Sequence, residues 1–227
     1  MWMPSHGPPA VRALTRVAGL FYAAPPAGFT DEPLLPPRGV PYVAAPGQQA
    51  ELDVLESELT PVCAGLQRMD VAGTLAQAPW VRAEQLMGSL WDPESTDIDV
   101  HALHQGCLRG FRRAGGLLRC DAEVQAAQHS GDGWHITLTD GSTLRAATQV
   151  NAAGAWGDVL AARCGVGPVG LQPRRRSAFT FAAPPGVSRA DLAAGGFGRG
   201  RGRGLVCQAR CRPAVGLARQ RRRHAAA

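Results

Sequence analysis

The chain has 227 residues, 45% of them hydrophobic, which is enough for one sizeable domain or two small ones with a real core. It has no apolar run of about 18 residues, so no membrane-spanning helix is expected, and it does not open with the basic-then-apolar pattern of a secretory signal. The net charge of +6 is carried by arginine alone, for there is no lysine, and nine of the 24 arginines follow Ala194, where no acid occurs. The first 194 residues therefore hold fifteen arginines against eighteen acids, a formal −3, and the basic balance belongs to the tail rather than to the body.

Val11, Leu14, Val17, Ala18 and Phe21 have helical spacing over Val11 to Tyr22, and Pro25-Pro26 closes that segment. Residues 31 to 41 are proline-rich and read as extended. Tyr42 to Ala44 suits a short strand. Gln48 to Leu66 carries Leu52, Leu55, Leu59 and Val62 on one helical face, with Pro61 as a distortion. Trp80 to Trp91 is expected to hold a short strand. Asp97 or Asp99 suits a helix cap before Val100, Leu103, His104, Cys107, Leu108 and Phe111, and Gly115-Gly116 stops that helix. Brief strands are expected at Leu117 to Arg119 and Glu123 to Gln128. Trp134, Ile136 and Leu138 alternate with polar residues before the Asp140-Gly141 turn, and Leu144 and Ala146 return, which predicts a hairpin. Gln149 to Asn151 reads as a strand entering a small-residue turn and a helix over Trp156 to Cys164, and Phe179 to Phe181 alternates as a strand.

The polar residues of these segments read as structural. Asp97 and Asp99 suit caps better than acid–base catalysis. His101 and His104 fit a helix surface. The cysteines, Cys63, Cys107, Cys120, Cys164, Cys207 and Cys211, form no C-x-x-C pair. Cys207 and Cys211 have only His224 nearby as a third ligand, so no metal site is expected, and the thiols read as those of a reduced, cytoplasmic protein.

The most informative stretch is Thr148-Gln149-Val150-Asn151-Ala152-Ala153-Gly154-Ala155-Trp156. Small residues at such a turn let backbone approach a ligand that bulkier side chains would fend off. The same residues also suit a tight strand-to-helix turn with no ligand, and composition alone leaves both readings open.

The Asp-Gly hairpin followed by V-N-A-A-G-A-W resembles the FAD-dependent D-amino-acid oxidase superfamily. Further strings resemble its D-arginine dehydrogenase group: Pro25 to Phe29, Pro33 to Arg38, Asp97 to Gly106 and Gly170 to Phe179, in the right order, over about residues 8 to 192. The resemblance implies α/β plus α+β architecture: a partial FAD-binding, Rossmann-like domain with a partial mixed-sheet substrate domain. It implies substrate-domain sequence over residues 1–95, a return segment of the FAD domain over 96–167, and the start of a second substrate segment over 168–194. It places Val124 near the adenine part of FAD and Ala152, Ala153, Gly154 and Trp156 at the turn near the flavin nucleotide. Arg176 matches a substrate-pocket arginine, whose guanidinium fork suits a carboxylate. The implied reaction oxidises a D-amino acid to an imino acid with hydride transfer to the flavin, and it identifies no catalytic residue in this chain. A glycine or sarcosine oxidase-like enzyme is the alternative within that chemistry.

Two departures accompany the resemblance. No strand followed by G-x-G-x-x-G and a helix occurs, so the chain is expected to be N-terminally truncated, to bind FAD poorly and to be inactive alone. Val40 stands where the D-arginine enzymes carry an acid, which argues against arginine as the substrate. Beyond Leu192 the family pattern gives way to alternating Gly and Arg. A disordered, RGG-like tail that binds nucleic acid is one reading of residues 195–227. A one-base shift between Leu205 and Arg221 permits Y-V-K-P-D-A-G-L-L-L-G-S-P-A-N-A, which resembles the family's next segment, so an out-of-frame tail is the preferred expectation.

Overall fold

The structure, a computed structural model, describes residues 1–79 and 81–174, and the backbone of strands at 177–181, 197–198, 205–208 and 214–218. It divides into two units, residues 1–114 with 176–220 and residues 115–175 with 221–227. The helix expected to travel with the hairpin segment thus falls in the first unit. The architecture is mixed α/β, with small sheets and helices, as the sequence implies.

In the first unit, helix α1 (Pro9–Ala23) starts on a proline, which has no amide hydrogen to leave unpaired in a first turn. The Trp2 indole seats it: its Nε1 donates to the Thr15 carbonyl at 2.9 Å, and a β-carbon on Gly19 would lie 2.5 Å from the ring. The helix forms where the apolar spacing predicts it, yet Leu14, Val17 and Leu20 remain exposed.

The core of this unit lies between a sheet and helix α2 (Gln49–Leu59). Strand β1 (Val40–Ala44) runs antiparallel to β3 (Gly88–Asp92), with Tyr42 opposite Leu90, and β3 pairs on its other side with β2 (Gln67–Met69). Val40, Tyr42 and Ala44 alternate toward Leu52, Leu55 and Leu59 of α2. Burial of Val40, Leu52, Leu55 and Leu59 stabilises the fold by about 1.5–3 kcal/mol each relative to exposure. Val40, expected near substrate by its position, is fully buried in this core. The expected helix over 48–66 ends at Leu59, two residues before Pro61, whose ring and missing amide hydrogen oppose continuation.

A short helix, α3 (Val71–Gln77), is capped by the Asp70 carboxylate, which accepts from the Gly73 amide at 2.7 Å. Helix α4 (Val100–Arg113) is capped in the same way by Asp99, which accepts from the Ala102 amide at 2.8 Å. Phe29 fills the notch at Gly106 of α4, where any β-carbon would come within 2.4 Å of the ring, and Arg109 donates to the Phe29 carbonyl.

One buried carboxylate ties the segments together. Asp92 accepts from Ser5 Oγ at 2.5 Å, Ser95 Oγ at 2.8 Å, Cys63 Sγ at 3.2 Å and the amides of Glu94 and Ser95. Five donors offset the cost of burying the charge.

The second unit is a meander of β4 (Val124–Ser130), β5 (Gly133–Leu138) and β6 (Thr143–Ala146), joined in that order. Helix α5 (Gly157–Arg163) packs against β4. The predicted hairpin is β5–β6, with Trp134 opposite Ala146 and Ile136 opposite Leu144. The strands expected at 117–119 and 149–151 do not form. Among the described residues, no strand of this unit runs beside either segment to satisfy its backbone, and Leu117 and Val150 are exposed.

Past Arg174 only backbone is described. Strands β7 (Ser177–Phe181), β10 (Ala214–Ala218) and β9 (Leu205–Gln208) form a sheet in the order β7-β10-β9, and β8 (Phe197–Gly198) runs parallel to β1. The expected disordered tail thus contains three strand segments, and the rest of residues 195–227 lies outside the described residues.

Candidate cofactor cleft

The second unit carries a cleft of about 410 Å³ between the start of β4 and helix α5. Glu123 and Val124 supply one wall, Ala153 and Trp156 the turn, and Val159, Leu160 and Arg163 the helix side. Residues distant in sequence meet here because α5 folds back against the strand that opens the meander.

The turn is shaped by its own side chains. Asn151 Oδ1 accepts from the Ala153 amide at 3.2 Å, and Asn151 Nδ2 donates to the Gly157 carbonyl at 2.8 Å. That brackets the small residues on both sides. Gly154 has φ +58, a left-handed conformation that a side chain disfavours. Residues 154–156 form a 3-10 turn, with the Trp156 amide donating to the Ala153 carbonyl at 3.1 Å. Trp156 stands 70% exposed at the rim, an unusual setting for the largest apolar ring. Beyond the turn, the Asp158 carboxylate accepts from the amides of Val169 at 3.0 Å and Leu171 at 2.7 Å, which fixes the loop after α5.

Polar contact within the cleft is concentrated at one nitrogen. Arg163 Nη1 donates to Glu123 Oε1 and to the Val124 carbonyl, both at 2.6 Å. On the neighbouring hairpin, a hydrogen bond from Ser130 and another from His135 pull the Asp132 carboxyl down to about 2. Asp140 is lowered by Ser142.

Of the residues singled out from sequence, Val124, Ala153 and Trp156 line this one cleft, and Ala152 and Gly154 flank Ala153 in its turn. Arg176 lies outside the described residues. Sequence reasoning missed Glu123, Val159, Leu160 and Arg163; the last three recur at helical spacing after the turn, which is the signal that could have found them. The cleft fits part of a dinucleotide: an exposed indole offers a stacking face, small residues allow close approach, and the volume lies within the range of small-molecule sites. Among the described residues no three His, Cys, Asp or Glu side chains cluster as metal ligands, and no helix is long and apolar enough to cross a membrane. Cys207, Cys211 and His224 have no described side chains.

A second cleft, of about 310 Å³, opens in the first unit beside Leu52, Met69 and Met87. Its arginine, Arg68, is paired with Asp53 at 2.8 Å and with Glu56.

A family model described as FAD dependent oxidoreductase (DAO) matches residues 5–216, extending past Leu192, where the pattern was expected to end. Human mitochondrial dimethylglycine dehydrogenase is 33% identical over 79 residues, 34% of this chain and 9% of that protein. Among solved structures, glycine oxidase from Geobacillus kaustophilus is 20% identical with a TM-score of 0.69, over 98% of this chain and 60% of that one. L-proline dehydrogenase from P. horikoshii is 12% identical with a TM-score of 0.73, over 95% and 56%. Iminodiacetate oxidase from Chelativorans sp. BNC1 is 17% identical with a TM-score of 0.71, over 96% and 59%. At these identities the structures share the fold, and this chain spans about 60% or less of each protein.

Proposed function

The chain belongs to the FAD-dependent oxidoreductase (DAO) family, and from that premise we propose that it is part of an enzyme that oxidises D-amino acids to imino acids. The observation that carries the cofactor part of this reading is the convergence of Val124, Ala153 and Trp156 on one cleft, given the family's cofactor; the D-amino-acid part rests on the sequence resemblance. FAD, when bound, would supply the hydride acceptor. The chain's own residues bind and orient: Trp156 offers its ring to a nucleotide, Asn151 holds the turn in place, and the small residues 152–154 admit the ligand backbone-close. Arg176 is proposed to hold the substrate carboxylate through its guanidinium fork. The body would work as a soluble, cytoplasmic protein with a small-molecule substrate and no nucleic acid. By this reading, residues 1–95 and 168–194 serve the substrate and 96–167 the cofactor.

A second reading is favoured by the relatives, which are named for action on glycine, dimethylglycine, iminodiacetate and L-proline. A glycine or N-substituted glycine would then be the substrate. The test has two arms. In equilibrium dialysis the chain should hold FAD weakly, because its sequence offers no G-x-G-x-x-G loop after a strand, and ADP should compete. Trp156→Ala should weaken that binding about tenfold or more, the loss of a stacked base. Unchanged binding in that variant would remove the cleft from the reading. The complete reading frame of the locus is then assayed with a reducible dye. Reduction by D- but not L-amino acids supports the first reading, reduction by glycine or sarcosine alone supports the second, and reduction by none overturns both.

A further inference from the structure

Among the described residues strand β4 is an edge of its sheet, with no strand paired on its outward side. The Val124 carbonyl, at the cleft wall, is nonetheless occupied: Arg163 Nη1 donates to it at 2.6 Å while holding Glu123 Oε1 at the same distance. All three residues line the cleft. We propose that Arg163 sets the ligand affinity of this cleft by competing for the Val124 carbonyl with the exocyclic amino group of an adenine base. The inference rests on the reading that the cleft takes a nucleotide, and it adds a residue that neither the sequence motifs nor the family match assigns.

The contact is built to open. The Arg163 and Glu123 side chains are 37% and 62% exposed, so water screens the pair and restores hydration when it parts. A base stacked on Trp156 has a donor to offer in place of the guanidinium, so opening leaves the carbonyl satisfied. A ligand whose base carries a keto oxygen at that position has no such donor. It meets a lone carbonyl if Arg163 leaves, and gains a hydrogen bond if Arg163 stays. The arginine therefore weakens adenine and favours an oxo base, which is a selectivity a merely structural ion pair would not produce.

The test uses adenosine and inosine, which differ at this group and at the adjacent ring nitrogen, an acceptor in adenosine and a donor in inosine, and carry no phosphate to attract the arginine by charge. Binding to the whole chain is measured by equilibrium dialysis. Arg163→Met should bind adenosine about fivefold tighter, and inosine no tighter or more weakly. That change corresponds to about 1 kcal/mol of released competition. Glu123→Gln loosens the arginine without removing it, so it should shift adenosine in the same direction by a smaller factor, about twofold, and it keeps the question answerable if Arg163→Met folds poorly. Adenosine affinity unchanged or weaker in the variants, with the parent chain binding adenosine, overturns the role of Arg163 and leaves the nucleotide reading standing. No adenosine binding by the parent or either variant overturns both.

Discussion

At Cys63 the thiol hydrogen points at a carboxylate that is itself buried, and three effects then act in one direction. Burial first, then the hydrogen bond to Asp92 and its charge, disfavour the thiolate and push the thiol from 9.0 up to about 12. A raised pKa means the folded state holds its proton after the unfolded chain has released it. The contribution is complete below pH 9 and is lost as pH rises from 9 toward 12. Thermal melts across that window should fall, and the fall should be shallower in Cys63→Ala. The same burial should make Cys63 slow toward a thiol-reactive dye, whereas Cys107 and Cys120 are exposed and should react at once. Asn151 is the other residue with a sharp expectation. Asn151→Ala removes both brackets of the turn, leaves the Gly157 carbonyl without its side-chain donor, and should cost about 1 kcal/mol per lost bond in stability. Weaker FAD binding without a matching loss in the melt would mark it as a positioning residue for the cleft.

At the scale of elements, α2 and the β1–β3 pair carry the first unit's core, and Leu55 sits at the centre of that contact with 5% of its surface exposed. Leu55→Ala should destabilise by about 2–5 kcal/mol, read by denaturant unfolding, because the sheet below cannot collapse into the vacancy. Val54 on the opposite face is exposed, and its alanine variant should be near neutral. These elements were legible because their patterns are local: helical spacing for α1, α2 and α4, alternation for β5 and β6, a cap at Asp99. What was not legible depended on neighbours. Strands at 117–119 and 149–151 had suitable side chains but, among the described residues, no partner strand. Gln67–Met69 has weak strand chemistry and is a strand because β3 runs beside it. For the cleft, the turn was readable as a run of small residues, while Arg163 was not, because its meaning lies in reaching a carbonyl 39 positions away.

Across the whole molecule, charge and composition divide at the same place. The body is slightly acidic, and the last 33 residues hold nine arginines and no acid. We propose that part of this segment is read in a shifted frame, since one base of displacement between Leu205 and Arg221 permits a glycine- and leucine-rich stretch with a tyrosine. Sequencing the locus should show that frame open through the segment and beyond, and a stop codon within a few residues would end the idea. If the arginine-rich segment is instead native, its charge should give salt-dependent binding to RNA, with affinity falling steeply between low and physiological ionic strength.

Trp156 has one more consequence, an optical one. Among the described tryptophans, Trp2, Trp91 and Trp134 are half-covered, and only Trp156 is largely open to water. Its emission should be red-shifted and readily quenched by acrylamide, and a ligand lying across the ring should move it to the blue and protect it. The cleft thus contains its own spectroscopic probe, so occupancy can be followed on the unlabelled chain, with Trp156→Phe as the blank.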